Sequence, residues 1–255
     1  MMQRNQLASL SYACSGSWGK ISRALSEQTE FPHLNISENY ITILDDAYPD
    51  CLRKLRYPPW VLFYQGDISL LKTPMMTIVG SRNLTVYGEA CTKEAASILK
   101  KRFTLVSGLA KGADGIVHAC ALDKGKTIAV IGSGLGTRYP ACNASLYKKI
   151  AEKGLILSEY PYSVPVRREH FPWRNRILAA LGESVIVTQA SVHSGTMITV
   201  NEALALSKDI YCFPYPFGTE EGRGADLLIA EGAEILYDSA QLKDLIPHQK
   251  VKGRP

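Results

Sequence analysis

No stretch of this 255-residue chain stays apolar for the ~18 residues of a membrane-crossing helix. Nothing at its start joins a basic segment to an apolar one in the manner of a secretory leader. A soluble, cytoplasmic protein with no membrane partner is expected. The 6 cysteines, Cys14, Cys51, Cys91, Cys120, Cys142 and Cys212, form no C-x-x-C pair, and the 5 histidines show no H-E-x-x-H or other ligand spacing. Reduced thiols are the reading, and neither a disulfide framework nor a metal centre is expected. Also missing are G-x-G-x-x-G in its dinucleotide setting and G-x-x-x-x-G-K-[ST], so no nucleotide cofactor is expected. There is no internal repeat and no low-complexity tract.

What is present is an ordinary globular composition, 46% hydrophobic and 21% charged, with 29 Lys and Arg against 24 Asp and Glu. The formal net charge of +5 suits an anionic partner without requiring one. Residues 1–40 form a short N-terminal helical segment. Leu7, Leu10 and Cys14 make one apolar face, "CSGSWG" turns the chain, and Ile21 and Leu25 make a second. A packing role is favoured for this hairpin over contact with phosphates through its glycine turn. Residues 41–245 form the main domain, and 246–255, with "HQKVKGRP", a basic tail.

Within the main domain "YPPWVLFYQGD" reads as a strand entered through prolines, and "MMTIVG", Met75–Gly80, as a fully apolar strand. Strands at 103–106, 127–131, 154–157, 184–189 and 209–213 alternate with helices at 112–123, 143–153, 173–182, 195–207 and 224–231. Short apolar strands between helices imply an α/β fold, an extended Rossmann-like, doubly wound and mostly parallel sheet.

In such a sheet the ligand crevice lies beyond the carboxyl ends of the strands. Four of those ends deliver glycine with Ser, Thr or Arg: "GSRN" from Gly80, "SGLAKGADGIVH" from Ser107, "GSGLGTRYPACN" from Gly132 and "SVHSGTMIT" from Ser191. Glycines let backbone N–H groups approach a phosphate, and the helix that follows adds the positive end of its dipole. Arg82 supplies a bidentate fork. One such loop is weak evidence, because glycine also makes plain turns. Four on one edge point to an anion.

A fifth stretch, "VPVRREHFPWRNRILAALGESVIVTQ", packs Arg167, Arg168, Arg174 and Arg176 around Phe171 and Trp173. With a helix starting at residue 173, Arg174 and Arg176 sit in its first turn, where a cation opposes the dipole unless an anion shares the site. Phe171 and Trp173 are candidates to stack on unpaired bases, Trp173 being as readily a core residue; Pro172 is expected to keep the segment extended. Asp114 and His118 share a helix face at i, i+4. They read as a loop-orienting carboxylate over a packed histidine rather than an acid/base pair. Gln189 stands at a strand end where a hydrolase would want a carboxylate, which leaves Glu159 and Glu202 as acidic candidates.

Taken together, "YPDCLRKLRYPPWVLFYQGD", "IVGSRNLTVYG", "VSGLAKGADGIVHACAL", "FPWRNRILAALGESVIVTQA", "SGTMIT" and "GADLLIAEGAEIL" resemble the DprA/Smf family of DNA-processing proteins over about residues 41–237. The resemblance implies a protein that binds single-stranded DNA, dimerises and helps load a RecA-type recombinase in natural transformation, with no catalytic activity established. By position it implies DNA contacts at Gly80, Ser81, Arg82, Lys111, Arg168, Phe171, Arg174, Asn175 and Arg176. Ser107, Gly108, Ser194, Gly195 and Thr196 are expected to line the pocket. Gly136 stands where the family commonly has Asp, Ala141 and Cys142 where it has a basic residue, and Gln189 where it has Glu. A winged-helix tail is expected to be absent. The alternative is a nucleotide hydrolase related to lysine-decarboxylase-like phosphoribohydrolases. Its GGxGTxxE loop finds only "HSGTMITVNEA" here, so binding is favoured.

Overall fold

The structure is a computed structural model, describing residues 3–29 and 31–247. The basic tail from His248 onward lies outside the described residues. The helices α1 (Arg4–Ala13) and α2 (Trp18–Ser26) come first, then β1 (Asn39–Thr42), the short α3 (Asp50–Arg53) and β2 (Val61–Gly66). The alternating part follows with β3 (Met75–Val79), α4 (Val86–Leu99), β4 (Thr104–Ser107), α5 (Ala113–Leu122), β5 (Thr127–Ile131), α6 (Ala144–Lys153) and β6 (Leu155–Ser158). It continues with α7 (His170–Leu181), β7 (Val185–Val187), α8 (Gly195–Ala205), β8 (Ile210–Cys212), α9 (Arg223–Ala230), β9 (Glu234–Ile235) and α10 (Ser239–Asp244).

The strands form one sheet in the order β1-β2-β6-β5-β4-β3-β7-β8-β9. Among the described residues only the β1–β2 and β2–β6 pairings are antiparallel. The chain winds outward from β3 to β6, then returns to the other side of β3, where Thr77 pairs with Val185 of β7. The order therefore reverses between β4 and β7, about β3, and that reversal opens a crevice at the carboxyl ends of these strands.

The core explains the apolar strands, because side chains alternate between two covered faces. On one face Val106, Val130 and Leu157 pack with Ile177, Leu178 and Leu181 of α7, while Val185 and Val187 pack with Val200 and Ala203 of α8. On the other, Leu105, Met76 and Ile78 meet Cys91, Ala95 and Leu99 of α4. Leu7, Leu10 and Ile21 of the N-terminal helices share a cluster with Phe63, Ile131 and Ile156. All six cysteines are free thiols.

Two expectations need correction. Helix α4 is absent from the sequence reading although Thr85 caps it, accepting from the Gly88 N–H at 3.0 Å. Its buried face is built from Gly88, Cys91, Thr92, Ala95, Ala96 and Leu99, which carry little hydrophobic signal. Helix α7 begins at His170 rather than at 173. Pro172 thus sits in its first turn, where a missing N–H costs nothing, and does not hold the segment extended. Arg174 and Arg176 fall in the second turn, past the reach of the helix-end dipole that was expected to set them against an anion.

Candidate nucleic-acid interface

At the strand reversal a cavity of about 670 Å³ opens among the loop Gly80–Asn83 after β3, the start of α7 and the start of α8. A smaller one of about 190 Å³ adjoins it, lined by Gly108, Lys111 and Gly132. Arg82, Tyr139 and Phe171 line both. The Arg82 guanidinium carbon lies 5.5 Å from the centre of the Phe171 ring, and the Tyr139 ring centre lies 5.7 Å from it. A cation over an aromatic face holds both side chains in place while leaving charge and ring edge for a ligand.

The loop that carries Arg82 is pinned by the chain itself. Ser81 Oγ donates to the Asn83 carbonyl at 2.8 Å and accepts from the Asn83 N–H at 3.1 Å. The Ser81 carbonyl accepts from the Ala113 N–H at 3.1 Å. Gly112, at φ 74°, allows that approach, since a Cβ there would come 2.4 Å from the Ser81 carbonyl oxygen. Gln189 completes the clamp. Its Oε1 accepts from the Thr85 N–H at 2.9 Å and its Nε2 donates to the Asn83 carbonyl at 3.0 Å. Gln189 is thus a loop anchor.

The arginines divide by depth. Arg168 and Arg82 are exposed at the larger cavity, and Lys111 is exposed at the smaller one. Arg174 lies on the cavity floor, 4% exposed, donating to the Val130 carbonyl and, at 2.7 Å, to that of Gly108. Gly108 is glycine for this reason, because a Cβ would fall 2.4 Å from Arg174 Nη1. Burial lowers the Arg174 pKa to about 10, so the side chain stays charged at neutral pH. Among the described residues its Nε has no hydrogen-bond partner. Beside it Asp114 accepts from the Ala110 N–H at 3.1 Å, and burial pushes its carboxyl up against the pull of Arg174. Asp114 is the single carboxylate among the residues lining either cavity.

Arg176 points elsewhere. It is 3% exposed, pairs with Glu159 at 2.6 Å and donates to the Tyr57 and Trp173 carbonyls at 2.8 Å each. Its guanidinium lies 4.2 Å from the Trp173 ring centre, and Tyr57 lies against the same ring at 5.5 Å. Arg176 and Glu159 therefore form a buried pair covered by the half-buried Trp173, and none of the three lines either cavity. Ser107 is fully buried, donates to the Ile78 carbonyl at 2.8 Å and is also absent from both linings. His118 is fully buried, with Nδ1 2.7 Å from Thr127 Oγ1. Burial, with Arg174 adding, drives it down to about 3, so it is a neutral packing residue.

The far wall is the start of α8. Asn175 donates to the Gly195 carbonyl at 3.2 Å and ties α7 to it. Ser194 Oγ is buried without a partner, and it does not cap the helix. A Cβ on Gly195 would meet no atom within 4 Å. Ser194, Gly195 and Thr196 thus bring the N-terminal N–H groups of α8 to the cavity, the chemistry that receives an anion. Glu202 is half-buried further along α8 and lines neither cavity. Gly136 also lines neither; its N–H donates to the Tyr162 carbonyl at 3.1 Å. Ala141 and Cys142 are exposed just past the smaller cavity's Pro140. The strand-end stretches named from the sequence contain Asn83, Tyr139, Ile198 and Thr199, which line the larger cavity but were not singled out within them. The aromatic in "TRYP", on an edge already marked by glycines, was the available signal for Tyr139.

The DNA recombination-mediator protein A family matches residues 39–247. DNA processing protein DprA of Streptococcus pneumoniae is 40% identical over 196 residues, 76% of this chain and 70% of that protein. Protein Smf of Synechocystis is 38% identical, over 82% of this chain and 54% of its own length, so the chain spans about half of that relative. The crystal structure of the pneumococcal DprA superposes with a TM-score of 0.84 at 30% identity, covering 96% of this chain and 99% of that one. A structure of DNA processing protein A from Helicobacter pylori, concerned with its single-stranded DNA binding mode, superposes with a TM-score of 0.74 at 32% identity, covering 82% and 95%. On a match that takes in the whole sheet and both cavities, the chain belongs to the DNA recombination-mediator protein A family.

Proposed function

We propose that this protein binds single-stranded DNA at the carboxyl edge of its sheet and hands the strand to a RecA-type recombinase, acting by binding rather than by making or breaking bonds. The observation that carries the reading is the cavity shared by Arg82, Arg168, Phe171 and the α8 N-terminus. It sets phosphate-binding groups around an aromatic ring at one strand-end crevice. The family's name and the Helicobacter pylori structure support the same ligand. Within the contact set, Arg82, Arg168 and Lys111 serve phosphates from the rim, Phe171 serves a base, and Gly80, Ser81, Ser194, Gly195 and Thr196 shape the cradle. Arg174 and Asn175 hold the floor and wall. A hydrolase would need a carboxylate poised in the crevice, and Asp114 is committed to a backbone N–H and to Arg174.

Recombinase loading is testable directly. On a single strand already coated by a single-strand binding protein, adding this protein should shorten the lag before RecA-type filament assembly, and Arg82→Ala should restore the lag. Equal lags with and without the protein would remove the recombinase from the account.

A further inference from the structure

The start of α7 has a second side. Arg168 and Phe171 line the large cavity, whereas Arg167, Glu169, His170 and Trp173 line a different one of about 460 Å³. Its opposite wall is the turn between α1 and α2, with Ser15, Ser17, Gly19 and Lys20. We propose that this cavity is a second nucleotide subsite for the same DNA strand, taking a phosphodiester at the α2 N-terminus and a base edge at His170. This rests on the single-strand reading above.

Three independent features support the assignment. The first is the wall. Helix α2 runs nine residues from Trp18, and Ser17 at its cap makes no side-chain hydrogen bond to it. Among the described residues the N–H groups of Trp18, Gly19 and Lys20 have no protein acceptor. A Cβ on Gly19 would meet nothing within 4 Å. The same combination, an uncapping serine and an unobstructed glycine at a helix start, marks Ser194 and Gly195 in the first cavity.

The second is His170. It is 9% exposed, and its ring lies flat on Tyr160 with centres 3.9 Å apart. Nδ1 lies 3.0 Å from the Gly132 carbonyl, which can only accept, so Nδ1 carries the proton. Nε2 is left with a lone pair and, among the described residues, no hydrogen-bond partner. That edge belongs to a residue lining this cavity and neither of the other two at this edge. A base N–H is the donor it can take.

The third is charge and continuity. Lys20 and Arg167 are exposed here, against the single carboxylate of Glu169. Arg167 and Arg168 are adjacent, ~3.8 Å apart at Cα, so a strand leaving the first cavity past one meets the other at once. This also accounts for the arginines in the stretch, since Arg168 faces one cavity, Arg167 the next, and Arg174 and Arg176 are structural.

The test uses oligo-dT of two lengths, roughly 4 and roughly 16 nucleotides, near the limits of known single-strand site sizes. Salt titrations compare the unaltered protein with a Lys20→Gln, Arg167→Gln double variant whose melting is checked. Both positions are exposed, so melting is expected to be unchanged. The slope of log K against log salt should fall by about 0.7 for each lost phosphate contact on the long oligomer and stay the same on the short one. Identical slopes for variant and parent at both lengths, or an equal loss at both, would overturn the second subsite while leaving the first intact. No binding of either oligomer by the parent protein would instead overturn the single-strand reading itself.

Discussion

Arg174 and Arg168 lie six residues apart, yet only one of them is free for a ligand. Arg174 holds two carbonyls and faces Asp114, so Arg174→Ala should uncover a buried carboxylate and cost ~3–5 kcal/mol of stability, read as a drop in melting temperature of many degrees. Arg168→Ala and Arg82→Ala should melt normally. Arg82→Ala should lose ~1.5–3 kcal/mol of single-strand affinity, the range for charged hydrogen bonds. Phe171→Ala should weaken binding with no change in salt slope, because stacking releases no counterions. Normal affinity in Arg82→Ala would make that residue a bystander. His118 gives a pH test. Its folded pKa is depressed from about 6.5 to about 3, so between these values the unfolded chain binds the extra proton. Stability should therefore fall by up to ~1.4 kcal/mol for each unit of pH lost through that window. Thermal melts of His118→Gln should show a shallower acid loss than the parent, and parallel curves would refute the assignment.

At the scale of elements, the strand ends were legible and the inside of α7 was not. Alternating apolar strands and glycine turns place Gly80–Arg82, Gly108–Lys111 and Ser194–Thr196 on one edge, because the geometry of a parallel sheet allows nothing else. Residues 174–181 of α7, by contrast, are buried all round. A helix enclosed by α8, α3 and the sheet shows no amphipathic period, so nothing in the spacing separates an arginine on the cavity floor from one in the core. Because α7 starts three residues before the expected position, Arg174 and Arg176 lie past its first turn and outside the reach of its dipole. Helix α8 offers the element-scale prediction. A Cβ on Gly195 meets no protein atom, so Gly195→Ala should fold as well as the parent. It should nevertheless bind single strands several-fold more weakly, since the methyl group enters the phosphate approach. Unchanged affinity in a normally folded variant would show that α8 does not cradle the strand.

For the whole molecule, the sheet offers a ligand one edge whose larger cavity is about 670 Å³, so a strand longer than a few nucleotides would need more than one copy to be held along its length. The stretch "DLLIAEGAEILYD" divides between two roles. Leu228 and Leu236 are core, while Leu227, Ile235 and Tyr237 are exposed, Tyr237 at 73%. We propose that outer set as the surface of a homodimer. Light scattering at tens of micromolar should give twice the chain mass, and Leu227→Glu should reduce it to one. A single-chain mass for the parent would remove the dimer. The central claim, that the edge reads unpaired strands, rests on Phe171 among phosphate-binding groups, because the bases of a duplex are stacked on one another and cannot stack on it. Its most direct test is a salt titration of binding to labelled oligo-dT beside blunt duplex of equal length. Tighter binding to oligo-dT at every salt concentration, weakening steeply as salt rises, is the result expected. Equal affinity for the duplex at matched salt would contradict it.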